Sequence, residues 1–278
     1  MDKNAKEQAK FYDTHPPLVP WPDVLKEYGF SVTYKPREVF WKRYFDRELK
    51  RGQKVLDVGC GQGLMLSRLK TTYGINGVGI DVSKKSISYA KKNYLNKDLE
   101  YKVADATKIP YKDKSFDVVV SFDALEHIDD QKKTVTEMVR VLKPGGKLII
   151  YTMSKDYEFT LDWVWEKMGF DIMRRAAHIK ELFVDPAWLK QAVERGGCNI
   201  ESFEYFDAFF TLGFDESVMV DNLISRKLGF FKHRGLGKIV IKYYHLLSKS
   251  LFPLLNFLDN LWYRVGKSIS FIVVSEKK

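Results

Sequence analysis

Nine residues, Val55-Leu56-Asp57-Val58-Gly59-Cys60-Gly61-Gln62-Gly63, limit the fold of this chain more than any other stretch. Val55–Val58 is a short apolar run that Gly59 stops, and Leu64-Met65-Leu66-Ser67-Arg68-Leu69 begins a helix. The pattern is a buried strand, a turn with three glycines, then a helix. Glycine takes positive φ without steric cost and lets backbone approach a ligand closely. The helix that follows aims its free N-terminal amides at whatever rests on the turn. Taken alone, a GxGxG turn is weak evidence. Dinucleotide folds use a related G-x-G-x-x-G, and here the third glycine comes one residue too early for it.

Downstream, strand and helix patterns alternate. Gly77-Val78-Gly79-Ile80 reads as a second strand ending at Asp81, and Ser83 as the N-cap of a helix from Lys84 to Asn93. Tyr101–Val103 is a third strand, and Phe116–Val120, rich in Val, a fourth of the kind buried on both faces. A helix over 134–142 stops at Lys143-Pro144-Gly145-Gly146, and Lys147–Tyr151 is the fifth strand. A helix from Pro186 to Arg195, a strand over 199–206, a helical block over 217–265 and a last strand over 268–274 complete the chain. Strands alternating with helices imply parallel pairing with right-handed crossovers. The expectation is an α/β fold with a mostly parallel seven-stranded sheet and helices on both faces. A helical insertion precedes the last strand, which could enter antiparallel at the sheet edge.

Three acids strengthen the reading of the glycine turn. Asp81 ends the second strand, where a carboxylate can accept both hydroxyls of a ribose. Asp105, followed by Ala106, ends the third, where a carboxylate and an amide can read an adenine. Asp57 precedes the turn, near where an amino-acid moiety would lie. All stand at carboxyl ends of strands, where open α/β sheets bind ligands.

The segments VLDVGCGQG, GIDVS, VADAT, SFDVVVSFDALEHI and LKPGGKLII, in that order over about residues 35–155, resemble the motifs of class I S-adenosylmethionine-dependent methyltransferases. The likeness is to the small-molecule branch that includes ubiquinone and menaquinone methyltransferases, which have a Rossmann-like fold. By that resemblance Gly59, Gly61 and Gly63 cradle the methionine part of S-adenosylmethionine, which leaves as S-adenosylhomocysteine. Asp81 holds the ribose and Val82 lies against the adenine. Asp105 and Ala106 read the adenine, and Ser121 and Phe122 line the site near the sulfonium. Tyr12 is a candidate aromatic cover. Asp57 has a competing reading as a cap of its own loop, and Asp81 one as a neighbour of the helix cap.

Methyl transfer from a sulfonium is an in-line displacement, so the protein must position the acceptor and remove its proton. Candidate bases are His127, in a Glu126-His127 pair that also suits a site wall, and His178, with Tyr157 a weaker choice. A lone His is more often structural than catalytic. No His/Asp cluster suggests a metal. Ser121-Phe122-Asp123-Ala124 replaces the Asn/Asp-Pro-Pro-aromatic motif of base-amine methyltransferases, and no Pro-Cys pair exists for cytosine C5 chemistry. Nucleic acid is therefore a minor option, and a small-molecule or lipid-like acceptor is expected. The alternatives left open are an inactive S-adenosylmethionine-binding module, an NAD-dependent dehydrogenase and an RNA-directed methyltransferase.

The net charge of +10 is uneven: residues 221–278 hold eleven Lys/Arg against three Asp/Glu. Between Arg226 and Lys249 there are seven Lys/Arg and no acid, interleaved with leucines and aromatics at spacings of 3 and 4. Two readings stand: a lid with its apolar face on the core, or an interfacial element on anionic lipid. The two cysteines, Cys60 and Cys198, cannot build a disulfide framework. The opening residues lack the apolar run of a signal peptide, so a cytoplasmic protein is expected, with the inner membrane face as a peripheral station. The division is 1–34 as a cap segment, 35–215 as the core, 216–266 as the basic insertion and 267–278 as the final strand. Acceptor atom and oligomeric state stay open.

Overall fold

The computed structural model describes residues 35–169, 179–206, 254, 257–263 and 268–278. Thirteen elements carry the architecture. They are α1 (Lys35–Glu48), β1 (Lys54–Val58), α2 (Leu64–Tyr73), β2 (Asn76–Asp81), α3 (Lys84–Tyr94), β3 (Leu99–Val103), β4 (Phe116–Phe122), α4 (Gln131–Val141), β5 (Leu142–Met153), α5 (Leu161–Lys167), α6 (Pro186–Arg195), β6 (Cys198–Phe206) and β7 (Ser270–Lys277). The strands form one seven-stranded sheet in the order β3-β2-β1-β4-β5-β7-β6. β1 to β5 pair in parallel, while β7 runs antiparallel to both β5 and β6.

The central strands read as unbroken apolar runs because both faces are covered. Successive side chains alternate between two cores. Val119, Leu148, Ile150, Phe271 and Val273 face α4 and α6 through Val135, Met138, Leu189 and Val193. Val118, Val120, Ile149, Tyr151, Ile272 and Val274 face α1, α2 and α3 through Trp41, Phe45, Leu66 and Ile87. Each such side chain contributes about 1.5–3 kcal/mol on burial.

Helix starts follow the capping chemistry. Ser83 accepts from the Ser86 amide at 3.1 Å, and Asp130 from the Lys133 amide at 2.9 Å. Asp185 accepts from the Ala187 and Trp188 amides ahead of α6, whose first residue is Pro186.

Two expectations are corrected. The last strand is not at the sheet edge; it inserts between β5 and β6, and β6 is the edge. Its run Phe271-Ile272-Val273-Val274 is buried on both faces, which an edge strand would not require. β5 starts at Leu142, and Lys143–Gly146 bulges out of the strand between the pairs Phe116–Leu142 and Val118–Lys147. Gly145 supplies the positive φ of 72° there. The Lys277 ammonium donates to the carbonyls of Val139 (2.6 Å) and Leu142 (2.8 Å), capping the end of α4.

Arg140 clamps the β3–β4 connection that follows Asp105. Its guanidinium donates to the carbonyls of Ile109 and Tyr111 at 2.9 Å and to Asp113 and Glu137 at 2.7 Å. Arg140→Ala strands two backbone acceptors and is expected to cost about 2 kcal/mol. Native-state hydrogen exchange should show amides 104–115 opening first; unchanged protection there would contradict the clamp.

Candidate functional site

The strand order reverses between β1 and β4, so the crevice of this sheet opens at their carboxyl ends. The glycine turn sits there. Gly59, Gly61 and Gly63 have φ of 78°, 50° and 81°, all in the left-handed region. Their surroundings differ. A Cβ on Gly59 would lie 2.3 Å from the Ala124 Cβ, and one on Gly63 would lie 2.6 Å from the Tyr101 ring and 2.9 Å from the Ala90 Cβ. A Cβ on Gly61 meets no atom within 4 Å. The outer glycines are needed for packing; the middle one faces open space.

The turn amides are held from β2. Gly59 and Cys60 donate to the Ile80 carbonyl at 2.9 and 3.0 Å, and Gly63 to the Cys60 carbonyl at 2.9 Å. The Gly61 amide donates to Asp81 Oδ2 at 2.9 Å, and the Ser83 amide to Asp81 Oδ1 at 2.8 Å. Asp81 is thus aimed at the turn. The Ala104 amide donates to the Asp81 carbonyl at 3.0 Å, which brings the end of β3 alongside. Asp105 stands there, its Oδ1 accepting from the Thr107 amide (2.9 Å) and hydroxyl (2.7 Å). It caps the short turn Ala106–Lys108, in which Ala106 is buried. Val82 is half-buried beside Asp81.

Asp57 differs from the other acids. It is 2% exposed, and its Oδ2 is buried without a hydrogen-bond partner. The turn amides that could have capped onto it are bonded elsewhere, so the loop-cap reading finds no support. Burial, reinforced by the charge of Asp81, pushes its carboxyl up to about 7. Burial and the same two carboxylates push the Cys60 thiol well up, which keeps it protonated and inert.

On the β4 side, Ser121 is fully buried and donates to the Val58 carbonyl at 3.1 Å. It ties β4 to the base of the turn instead of lining the crevice, because the strand end offers that acceptor. Phe122 is half-buried in an aromatic cluster with Trp41, Phe45 and Tyr151, at ring separations of 5.0, 5.3 and 6.1 Å. Glu126 is buried and accepts from the Thr152 hydroxyl at 2.8 Å. His127 ends the turn Leu125–His127, half-buried. The Tyr157 hydroxyl donates to Glu166 at 3.1 Å, and Lys180 pairs with the same carboxylate at 2.7 Å. Burial, then Glu166, push Tyr157 up to about 12. At neutral pH it is a donor, which corrects its reading as a base. Tyr12 and His178 lie outside the described residues.

Sequence reading missed the residues that shape the turn from below: Ala124, small enough to let Gly59 approach, and Tyr101, whose hydroxyl donates to the Gly63 carbonyl at 3.2 Å. The alternating Gly77 and Gly79 were an available signal. A Cβ on Gly79 would lie 2.8 Å from Cys60 Sγ and from Tyr101, and one on Gly77 2.7 Å from Leu99.

A Rossmann-like sheet with antiparallel β7, a glycine turn at the switch point and acids on three successive strand ends define a methyltransferase-type domain. Residues 56–150 match the family described as "Methyltransferase domain". Over that segment, about a third of its length, the chain is similar to methyltransferases. It is 38% identical over 134 residues to phosphoethanolamine N-methyltransferase 3 of Arabidopsis thaliana, a match covering 45% of this chain and 26% of that protein. It is 29% identical to the ubiquinone biosynthesis O-methyltransferase of Coxiella burnetii, over 57% of this chain and 69% of that protein. The chain thus spans about a quarter of the first of these and about two thirds of the second. Among solved structures, phosphoethanolamine N-methyltransferase 2 of Haemonchus contortus, in complex with phosphomonomethylethanolamine and S-adenosylhomocysteine, superposes with a TM-score of 0.59. It is 20% identical and the match covers 87% of this chain and 52% of that one, a likeness of fold.

Proposed function

We propose that this chain transfers a methyl group from S-adenosylmethionine to a small-molecule acceptor by in-line displacement. The observation that carries the reading is the Asp57 carboxylate, buried and unpartnered beneath a glycine turn whose middle residue opens outward. A buried acid without a partner is costly unless a ligand completes it. A ligand with a cationic amino group does so. S-adenosylmethionine supplies a methyl already activated on a sulfonium, so displacement by an acceptor lone pair leaves a neutral thioether.

The chain's own residues then have these tasks. Gly59, Gly61 and Gly63 hold the backbone where the methionine part can approach, and Asp57 neutralises its amino group. Asp81 takes the ribose hydroxyls, with Val82 against the adenine. Asp105 and the Ala106 amide read the adenine edge. Phe122 forms the wall toward the acceptor. His127, the one imidazole among the described residues, receives the acceptor's proton on that side. The relatives named above support an amine or a hydroxyl of a small molecule as acceptor.

Titration with S-adenosylhomocysteine should show saturable binding while NAD shows none. Labelled S-adenosylmethionine should pass its methyl to the small-molecule fraction of a cell extract. Binding of NAD in preference would overturn the assignment. Binding of S-adenosylhomocysteine with no transfer to any fraction would leave an inactive binding module.

A further inference from the structure

The helical residues before β7 are arranged the wrong way round for a helix that faces water. Residues 254 and 257–262 are helical. Phe257 and Leu261 share one face at a spacing of four, and Leu254 stands at helical spacing three residues ahead of Phe257. They are 52%, 57% and 45% exposed, while the acid among them, Asp259, is fully buried. At 100° per residue Asp259 and Tyr263 project from the opposite side. That side is the seated one: the Tyr263 ring lies 6.3 Å from the Tyr205 ring of β6. A helix whose outer stripe is Leu-Phe-Leu and whose inner side holds an Asp has an apolar face with no partner among the described residues.

Position adds to this. Tyr205 pairs with Phe271 and Phe206 with Ser270, and Ser270 also pairs with Met153 at the end of β5. The Ser268 amide donates to the Asp156 carbonyl and the Ser154 amide to the Ile269 carbonyl, both at 2.8 Å. The helix therefore enters the sheet at its carboxyl edge, the edge that carries the glycine turn. Charge indicates the occupant. The sequence just ahead, 226–249, has seven Lys/Arg and no acid. A basic stretch that precedes an apolar helical face in sequence is complementary to an anionic lipid surface, which offers both negative headgroups and an acyl boundary. No helix among the described residues is long and apolar enough to cross a membrane.

We propose that the face formed by Leu254, Phe257 and Leu261 docks this protein on an anionic lipid bilayer, with the edge of the sheet that carries the glycine turn toward the membrane. Vesicle binding does not depend on methyl transfer and is read without turnover. The full chain should co-sediment with vesicles of phosphatidylcholine and phosphatidylglycerol at low salt. It should bind at least about tenfold more weakly to phosphatidylcholine alone or at high salt. Leu254→Ser, Phe257→Ser and Leu261→Ser combined should lose roughly tenfold or more of the binding to anionic vesicles. Their solvent exposure predicts an unchanged circular dichroism spectrum and melt; if the triple variant melts early, Phe257→Ser alone serves. Wild-type failure to bind anionic vesicles at low salt overturns the proposal. So does undiminished binding by the variants. A dimer in solution that the triple variant dissolves would assign the face to a second copy and overturn it equally.

Discussion

Gly59→Ala and Gly63→Ala should destabilise the fold severely, whereas Gly61→Ala should leave it standing and remove ligand binding. All three positions have positive φ, which costs an alanine about 1–2 kcal/mol. The contrast arises from what a methyl meets. At 59 it lies 2.3 Å from Ala124 Cβ, and at 63 it runs into the buried Tyr101 ring at 2.6 Å. Neither neighbour can retreat, since Ala124 has no rotamer and Tyr101 is 1% exposed and bonded to Gly63 itself. Forced overpacking adds about 1–3 kcal/mol, for a total of about 2–5 kcal/mol. Melting should drop by roughly 5–15 °C. At 61 only the backbone term remains, because the space is open. That space is where a ligand must come close to the backbone, so S-adenosylhomocysteine affinity should fall at least about tenfold with a loss of only about 1–2 kcal/mol in stability. Thermal melts and ligand titrations on the three variants decide it. Wild-type affinity in Gly61→Ala would show that the turn is not the cradle.

The same turn shows what the sequence disclosed and what it withheld. A strand, three glycines and a helix are local features, and they emerged where the residue pattern places them. So did α6, whose bounds match because Asp185 and Pro186 mark its start and Gly196 its stop, directly at the two ends of the helix. Asp81 was legible because it ends an apolar run. The partners of the glycines were not. Tyr101 lies 38 residues from Gly63, and nothing in its own strand marks it as the support of the turn. Ser121 was misplaced for a like reason: its acceptor is the backbone of β1, 63 residues back. Strand order failed at β7, where a run buried on both faces fits an interior place as well as an edge, and only pairing with β5 and β6 chooses. The Tyr157 base reading failed because Glu166 and Lys180 reach the phenol through tertiary packing.

Asp57→Asn is expected to stabilise the unliganded protein above neutral pH and to disable ligand binding. The carboxyl is pushed from the usual 3.8 up to about 7 by burial and by Asp81. The groups facing it are Asp81, and the Cys60 thiol and Tyr101 phenol, both held protonated by burial and by neighbouring negative charge. Below about pH 4 the acid is protonated whether folded or not, and Asp57 contributes no pH dependence. Between about 4 and about 7 the folded chain keeps the proton that the unfolded chain has lost, so stability falls as pH rises. Above about 7 the penalty is complete, and a carboxyl raised from 3.8 to about 7 costs at most about 4 kcal/mol. Asn carries no charge but leaves a buried amide unmatched at about 1–3 kcal/mol, so the net gain at pH 8 should be about 1–3 kcal/mol, and the sign should reverse near pH 4, where the wild-type acid is neutral. Ligand binding runs the opposite way. A cationic amino group beside Asp57 requires the ionised form, so wild-type affinity for S-adenosylhomocysteine should rise with pH, by up to about tenfold per pH unit between 5 and 7, and level off above. One proton should leave on binding below pH 7, visible as a heat that changes with buffer ionisation enthalpy. Asp57→Asn should bind roughly a hundredfold more weakly, with a flat profile. A wild-type affinity independent of pH from 5 to 8 would remove Asp57 from the ligand site. An Asp57→Asn variant that melted below wild type at pH 8 would mean instead that an acceptor at this position supports the turn directly, since only a favourable bond to the carboxylate can reverse the sign.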